Sequence, residues 1–164
     1  MNSLWSTGQD SGHAQAEVRR ISPAGKILAI LTLNPLARLA NARFSGKQFA
    51  LATEDFSIGS GSYNGPLTHV LDLSQPGRID MALYKGGREI AVMSSMKTIW
   101  KTVPDGFLEA ACRPDTVLTE DSTGFIIYYQ RIRYSNGAWV HAERSERGYS
   151  DFEEDFPQDS LFPN

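Results

Sequence analysis

Asn136-Gly137 sits between two runs that alternate polar and apolar residues, 124–135 and 138–144. Asn-Gly is the dipeptide of a type I′ turn, whose central residues both need positive φ, and that turn joins antiparallel strands through a two-residue loop. Register follows from the turn alone. Tyr134 opposes Trp139, Ile132 opposes His141, Gln130 opposes Glu143 and Tyr128 opposes Ser145 on one face. Arg133 pairs with Val140, Arg131 with Ala142 and Tyr129 with Arg144 on the other.

The same reading extends back to Gly46. Lys47 to Thr53 alternates, and Val70–Leu73 is separated from Ile79–Tyr84 by Gln75-Pro76-Gly77, a turn in which Pro sets φ and Gly lets it go positive. Gly86-Gly87 reads as a two-residue hairpin loop joining Ile79–Lys85 to Arg88–Ser94. With Lys85 opposite Arg88, Leu83 lies beside Ile90 and Met81 beside Val92.

Ahead of Gly46 the pattern changes. Ser22-Pro23 suits an N-cap and first helical residue, opening Lys26–Leu33, although that segment is apolar on every side and period alone does not separate helix from strand. Asn34-Pro35 is a second start signal. Leu36, Leu39, Ala40 and Phe44 then fall at helical spacing and Gly46 is placed to stop them, which predicts a short amphipathic helix over 35–45. The expected class is α+β: an N-terminal helical segment followed by a mainly antiparallel sheet, sandwich or half-barrel of about seven or eight short strands. Residues 1–13 read as a leader that frays, 14–150 as a single globular domain, and 151–164 as a tail.

Length and composition narrow the function classes. A chain of 164 residues with 41% apolar and 21% charged side chains is one globular domain rather than a disordered or membrane-spanning one. The lone Cys112 excludes an internal disulfide framework and any zinc site built from several thiolates. Ile27–Leu31 is the longest strictly apolar run, far short of a spanning helix. Arg19 and Arg20 before it, and Ala40-Asn41-Ala42 just ahead of Arg43, imitate a cleavable signal. The polar stretch from Met1 to Gln15, with Asn34, Pro35 and Arg38 inside the supposed hydrophobic region, points instead to a cytoplasmic protein.

The charge is unevenly placed. Asp151, Glu153, Glu154, Asp155 and Asp159 have no basic residue among them up to Asn164, which leaves 1–150 with 14 acids against 16 bases. Phe152, Phe156, Leu161 and Phe162 are interleaved with these acids. Such a tail can fold back on its own hairpin, with Arg131, Arg133, Arg144 and Arg147 as counter-charges, or it can be offered to a protein with a basic surface.

Motif chemistry is sparse. His141 and Glu143 share a strand face with Tyr128, Gln130 and Trp139, an arrangement that suits a ligand pocket. A metal there would need a further ligand, with His69 or Asp72 as the candidates, and no metal or cofactor is expected. Cys112 would act as a nucleophile only with His69 or His141 within reach, and reads more simply as a small buried residue. The loop from Gly59 to Gly65 lacks the Gly-Lys-Ser/Thr ending of a phosphate loop, and no Gly-x-Ser-x-Gly elbow occurs. Tyr129, Arg131, Arg133 and Arg144 could form a single-strand platform, but the acidic tail and the net charge of −3 speak against nucleic acid.

The reading that follows is a non-enzymatic binding module, inhibitor-like or immunity-like in form. It would engage a basic partner through Tyr149, Asp151, Phe152, Glu153, Glu154, Asp155, Phe156 and Asp159. The alternative is a β-rich small-ligand binder or minor enzyme, with a pocket at Tyr128, Gln130, Trp139, His141 and Glu143.

Overall fold

A computed structural model describes residues 6–7, 15–34, 36–54, 65–95, 97–115, 124–152 and 155–164. They form three antiparallel sheets. The first contains β1 (Ser6–Thr7), β2 (Gln15–Ile21) and β3 (Ile27–Leu33), in that order. The second runs β4 (Leu36–Phe44), β5 (Lys47–Glu54), β6 (Leu67–Asp72) and β7 (Asp80–Met81), with β8 (Ala91–Met93) pairing along β6 beyond β7. In the third, β9 (Thr98–Val103), β10 (Gly106–Pro114), β11 (Phe125–Ser135) and β12 (Ala138–Arg147) lie in consecutive order.

The sheets stack, and the alternation of side chains along β5 shows how. Phe49 and Leu51 point to one side and join Phe44, Val70, Ile90, Val92, Phe107, Ile132 and Trp139 in the core between the second and third sheets. Ala50 and Ala52 point to the other side and join Val18 and Leu71 against the first sheet. A third apolar layer, with Leu108, Ala110, Cys112, Ile127 and Tyr129, lies on the far side of the third sheet and is covered by Phe162. The middle sheet is thus buried on both faces.

That burial overturns the α+β expectation. Among the described residues the helical structure is one 3-10 turn, Asp159–Leu161, and no N-terminal helix exists. The segment predicted as a helix over 35–45 is β4. Its apolar residues occupy both strand faces because both are covered: Ala42 and Phe44 face the third sheet and Leu39 the first. Their helical spacing is coincidental. Gly46 does end the element, as half of a turn in which Ser45 and Gly46 take φ of 47° and 82°. Ser22 closes a turn onto Gly25 and Lys26 in place of capping a helix, and 27–33, left open between helix and strand, is β3. The signal-like stretch is therefore β3 and part of β4. No described helix is long and apolar enough to cross a membrane.

The two hairpins diverge. At Asn136-Gly137 every pairing expected from the turn is found, from Tyr134 with Trp139 to Tyr128 with Ser145. At Gly86-Gly87 the loop takes three residues: the Tyr84 N–H donates to the Arg88 carbonyl and Leu83 pairs with Glu89. A slip of one residue reverses the faces, so Leu83 is 50% exposed while Ile90 is fully buried.

Two features hold the second and third sheets together. At the β4–β5 turn, the Ser45 N–H donates to the Pro104 carbonyl at 3.0 Å and its hydroxyl donates to the Tyr134 carbonyl at 2.6 Å. On the β12 side, Tyr84 bridges to Trp139. Gly106 is required where β10 meets β11, because a Cβ there would lie 2.0 Å from the Ile132 carbonyl oxygen. Among the described residues nothing equivalent bridges the β4–β9 side beyond Ser45, and there the sandwich opens.

Candidate functional site

The opening is a cleft of about 730 Å³ between the edge strands β4 and β9. Its β4 wall carries Arg38, Ala40 and Ala42, ending on Phe44. Leu51, Thr53 and Thr68 come from β5 and β6, and Trp100, Thr102 and Val103 from β9. Ala40 and Ala42 are small where a sandwich interior normally carries bulk, which is what leaves room. Trp100 is half-buried, with its indole N–H donating to the Ser94 hydroxyl at 2.9 Å. The Thr53 and Thr68 hydroxyls bond one another at 2.9 Å. Ser94 begins the crossover from β8 to β9, pinned by its N–H to the Pro66 carbonyl at 3.0 Å. Gly65 lies so close beneath it that a Cβ would fall 1.5 Å from the Ser94 carbonyl oxygen. Arg38 shares the strand face of Ala40 and Ala42, Arg43 borders the cleft from the opposite face of β4, and the lining includes no carboxylate.

None of these residues stands out in the sequence as a site. Arg38, Ala40 and Ala42 were hidden inside the predicted helix. Once 36–44 is a strand, small residues at every second position before Phe44 are a recognisable sign of an unfilled interior.

The residues expected to form a pocket, Tyr128, Gln130, Trp139, His141 and Glu143, share the inner face of the third sheet. Trp139 is 5% exposed inside the aromatic core, and its indole N–H has no hydrogen-bond partner among the described residues. Gln130 is buried and its side-chain oxygen accepts from His141 Nε2 at 2.9 Å. His141 and Glu143 stand exposed, and Tyr128 lies under the Arg113 guanidinium at 5.5 Å.

Two groups at or packed against this face were missed by sequence reasoning. Glu109 is 8% exposed and lies in register between Trp100 and Gln130. Burial pushes its carboxyl up to about 7, against the opposing pull of Arg113, the Met93 N–H and Arg88. Tyr84, whose ring sits 5.9 Å from His141, is pushed up to about 12, chiefly by burial. Burial also lowers His141, with Glu143 opposing and Arg88 assisting. All three shifts favour neutral forms. The signal was an isolated acid inside the apolar run from Phe107 to Cys112.

His69, weighed above as a metal ligand, lies elsewhere. Its Nε2 bonds Glu54 at 3.0 Å and its Nδ1 bonds Glu89. Carboxylates only accept, so both bonds form together when both ring nitrogens carry hydrogen. The two acids sit on opposite edges of the ring and do not converge on a point. No group of three or more described His, Cys, Asp or Glu side chains could hold a metal ion. Cys112 is buried on the outer face of β10, with its thiol 4.0 Å from the Gly148 carbonyl, whereas His141 projects from the inner face of the same sheet. The loop 55–64, which contains most of the glycine-rich segment, lies outside the described residues.

The tail folds back. Phe156 and Phe162 stack with centroids 5.4 Å apart, and Phe162 meets Tyr129 edge-on at 5.5 Å. Lys101 donates to Asp159 at 2.6 Å while lying over the Phe156 ring. The expected counter-charges are mostly engaged elsewhere: Arg131 with Asp105, Arg144 with Glu146 and Arg147 with Asp115. Arg144 also reaches the Leu161 carbonyl at 3.4 Å. Tyr149 is 55% exposed against Phe125, Phe152 is half-buried, and Asp151 and Asp155 are exposed. Glu153 and Glu154 lie outside the described residues. Comparison with protein-family models, curated proteins and solved structures found no match, and the chemistry of the cleft is the ground on which function is read.

Proposed function

We propose that the chain is a small-ligand-binding protein whose site is the cleft between β4 and β9. The observation that carries this reading is a single interior filled with aromatic rings at one end and left open beside Ala40, Ala42 and Trp100 at the other. Ligand sites are concave, largely preformed and lined by apolar surface with a few placed polar groups, and this cleft has that make-up. A cytoplasmic location suits this reading, because cleavage ahead of Arg43 would remove β3 and most of β4, and with them one wall of the site.

Tail-mediated capture of a basic partner is the second reading. It is favoured by Asp151 and Asp155, which are exposed and make no ion pair among the described residues. It needs Phe156 and Phe162 to leave their own sheet before they can anchor anything.

The test is a fragment screen followed by backbone amide NMR. Binding in the cleft shifts 38–44 and 98–103, and Ala42→Leu, which fills the space, abolishes the shifts. Shifts gathered instead over 149–162 on adding a basic protein would favour the tail.

A further inference from the structure

Resting on the cleft reading, we infer that the ligand is an amphipathic anion: one acidic head on an apolar or aromatic body. The head group follows from charge. Arg38 lines the cleft on the face of Ala40 and Ala42, with no carboxylate in the lining, and makes no ion pair among the described residues. Of the other arginines, Arg19, Arg78, Arg131, Arg144 and Arg147 are in ion pairs, Arg20 holds two carbonyls, and Arg88 and Arg113 lie over tyrosine rings away from the cleft. In a chain of net charge −3, an unpaired guanidinium at an opening whose lining holds no acid forms a local positive field. A guanidinium fork matches a carboxylate, sulfonate or phosphate head in geometry as well as charge.

The body follows from the remaining walls. Ala40, Ala42, Leu51 and Val103 are apolar, and Trp100, whose N–H is already held by Ser94, has only its ring to offer. The hydroxyls of Thr53 and Thr68 share one hydrogen bond, so together they offer a ligand one further donor at most. A neutral saccharide would leave Arg38 unmatched, and a cation would meet it head-on. A drug-sized anion fits a volume of about 730 Å³.

Two probes that share a ring system and differ in charge separate the possibilities: 8-anilinonaphthalene-1-sulfonate and the neutral N-phenyl-1-naphthylamine. Fluorescence titration of the full chain is expected to show the anionic probe binding about tenfold or more tightly than the neutral one at low salt. In Arg38→Gln that preference disappears while the neutral probe keeps its affinity. Ala42→Leu abolishes both, with Ala40→Leu as the substitute if thermal melting shows the first to be unfolded.

Equal affinity for the two probes, both lost on filling the cleft, overturns the anionic assignment and leaves the cleft as the site. Probe binding that survives both filled variants overturns the cleft itself.

Discussion

The interior between the second and third sheets has two ends built from the same strands. At the turn end, Phe44, Phe49, Phe107, Tyr134 and Trp139 interlock, with centroid separations such as 4.8 Å for Phe44–Phe107 and 5.3 Å for Phe49–Trp139. Two steps further along each strand the residue shrinks or turns polar: Phe44 gives way to Ala42, Phe107 to Glu109, and beyond Leu51 on β5 comes Thr53. One end is closed by Ser45 and the Tyr84 bridge; the other is wedged by a single half-buried Trp100. Stability is thereby concentrated where the hairpin turns meet, and the open end is free to carry an opening that a uniformly packed sandwich would lack.

The comparison is broken most severely by Phe107→Ala. This ring is fully buried, and its loss is expected to cost about 3–5 kcal/mol in chemical denaturation. A loss below about 1 kcal/mol would mean that the closed end is not the stable end.

Glu109, at the boundary, gives the next effect. Its folded value of about 7 exceeds the ordinary 4.5, so the folded state holds a proton that the unfolded state has released. Stability therefore falls as pH rises from about 4.5 to about 7, by an amount on the order of 3 kcal/mol, and levels off above. Glu109→Gln removes that slope. Denaturation midpoints at about pH 5 and about pH 8 read it directly, and parallel profiles for variant and parent would refute the assignment.

Enlarging alanines sharpens the contrast. Ala82→Leu, in the filled core at 4% exposure, should destabilise by about 1–3 kcal/mol through overpacking. Ala42→Leu, facing the cleft, should be within about 1 kcal/mol of neutral and can raise the melting temperature. Equal penalties at both positions would show that the cleft has no spare room. The smallest change is Arg38→Gln, exposed at the mouth and expected to shift stability by less than about 0.5 kcal/mol while reducing anion affinity.

How much of this was legible in the residues depended on how many faces of a strand were covered. The β11–β12 hairpin could be read pair by pair because Asn136-Gly137 permits few turns. The loop at Gly86-Gly87 could not, since two glycines that both accept positive φ, here 107° and 87°, suit a loop of two residues or three. In β4 the alternation vanished because a middle-layer strand places apolar residues on both sides, and Leu36, Leu39, Ala40 and Phe44 then imitate a helix. The tail's fold-back was one of the open readings, although its charge partner, Lys101, was not foreseen. The cleft was beyond reach for a simpler reason: Arg38 and Trp100 face the same space only once two separate sheets have stacked.

The placement of Cys112 has a practical consequence. Its thiol is 4% exposed in the layer closed by Phe156, Leu161 and Phe162, and it is the chain's single cysteine. The protein therefore carries a native clock for the lifting of its last layer. Thiol-trapping reagents react at a rate set by how often that layer opens, as amide hydrogens do when a segment unfolds locally. If trapping is much faster than global unfolding, the tail detaches as a unit of its own. If the two rates coincide, the three sheets and their cover open together as one cooperative body.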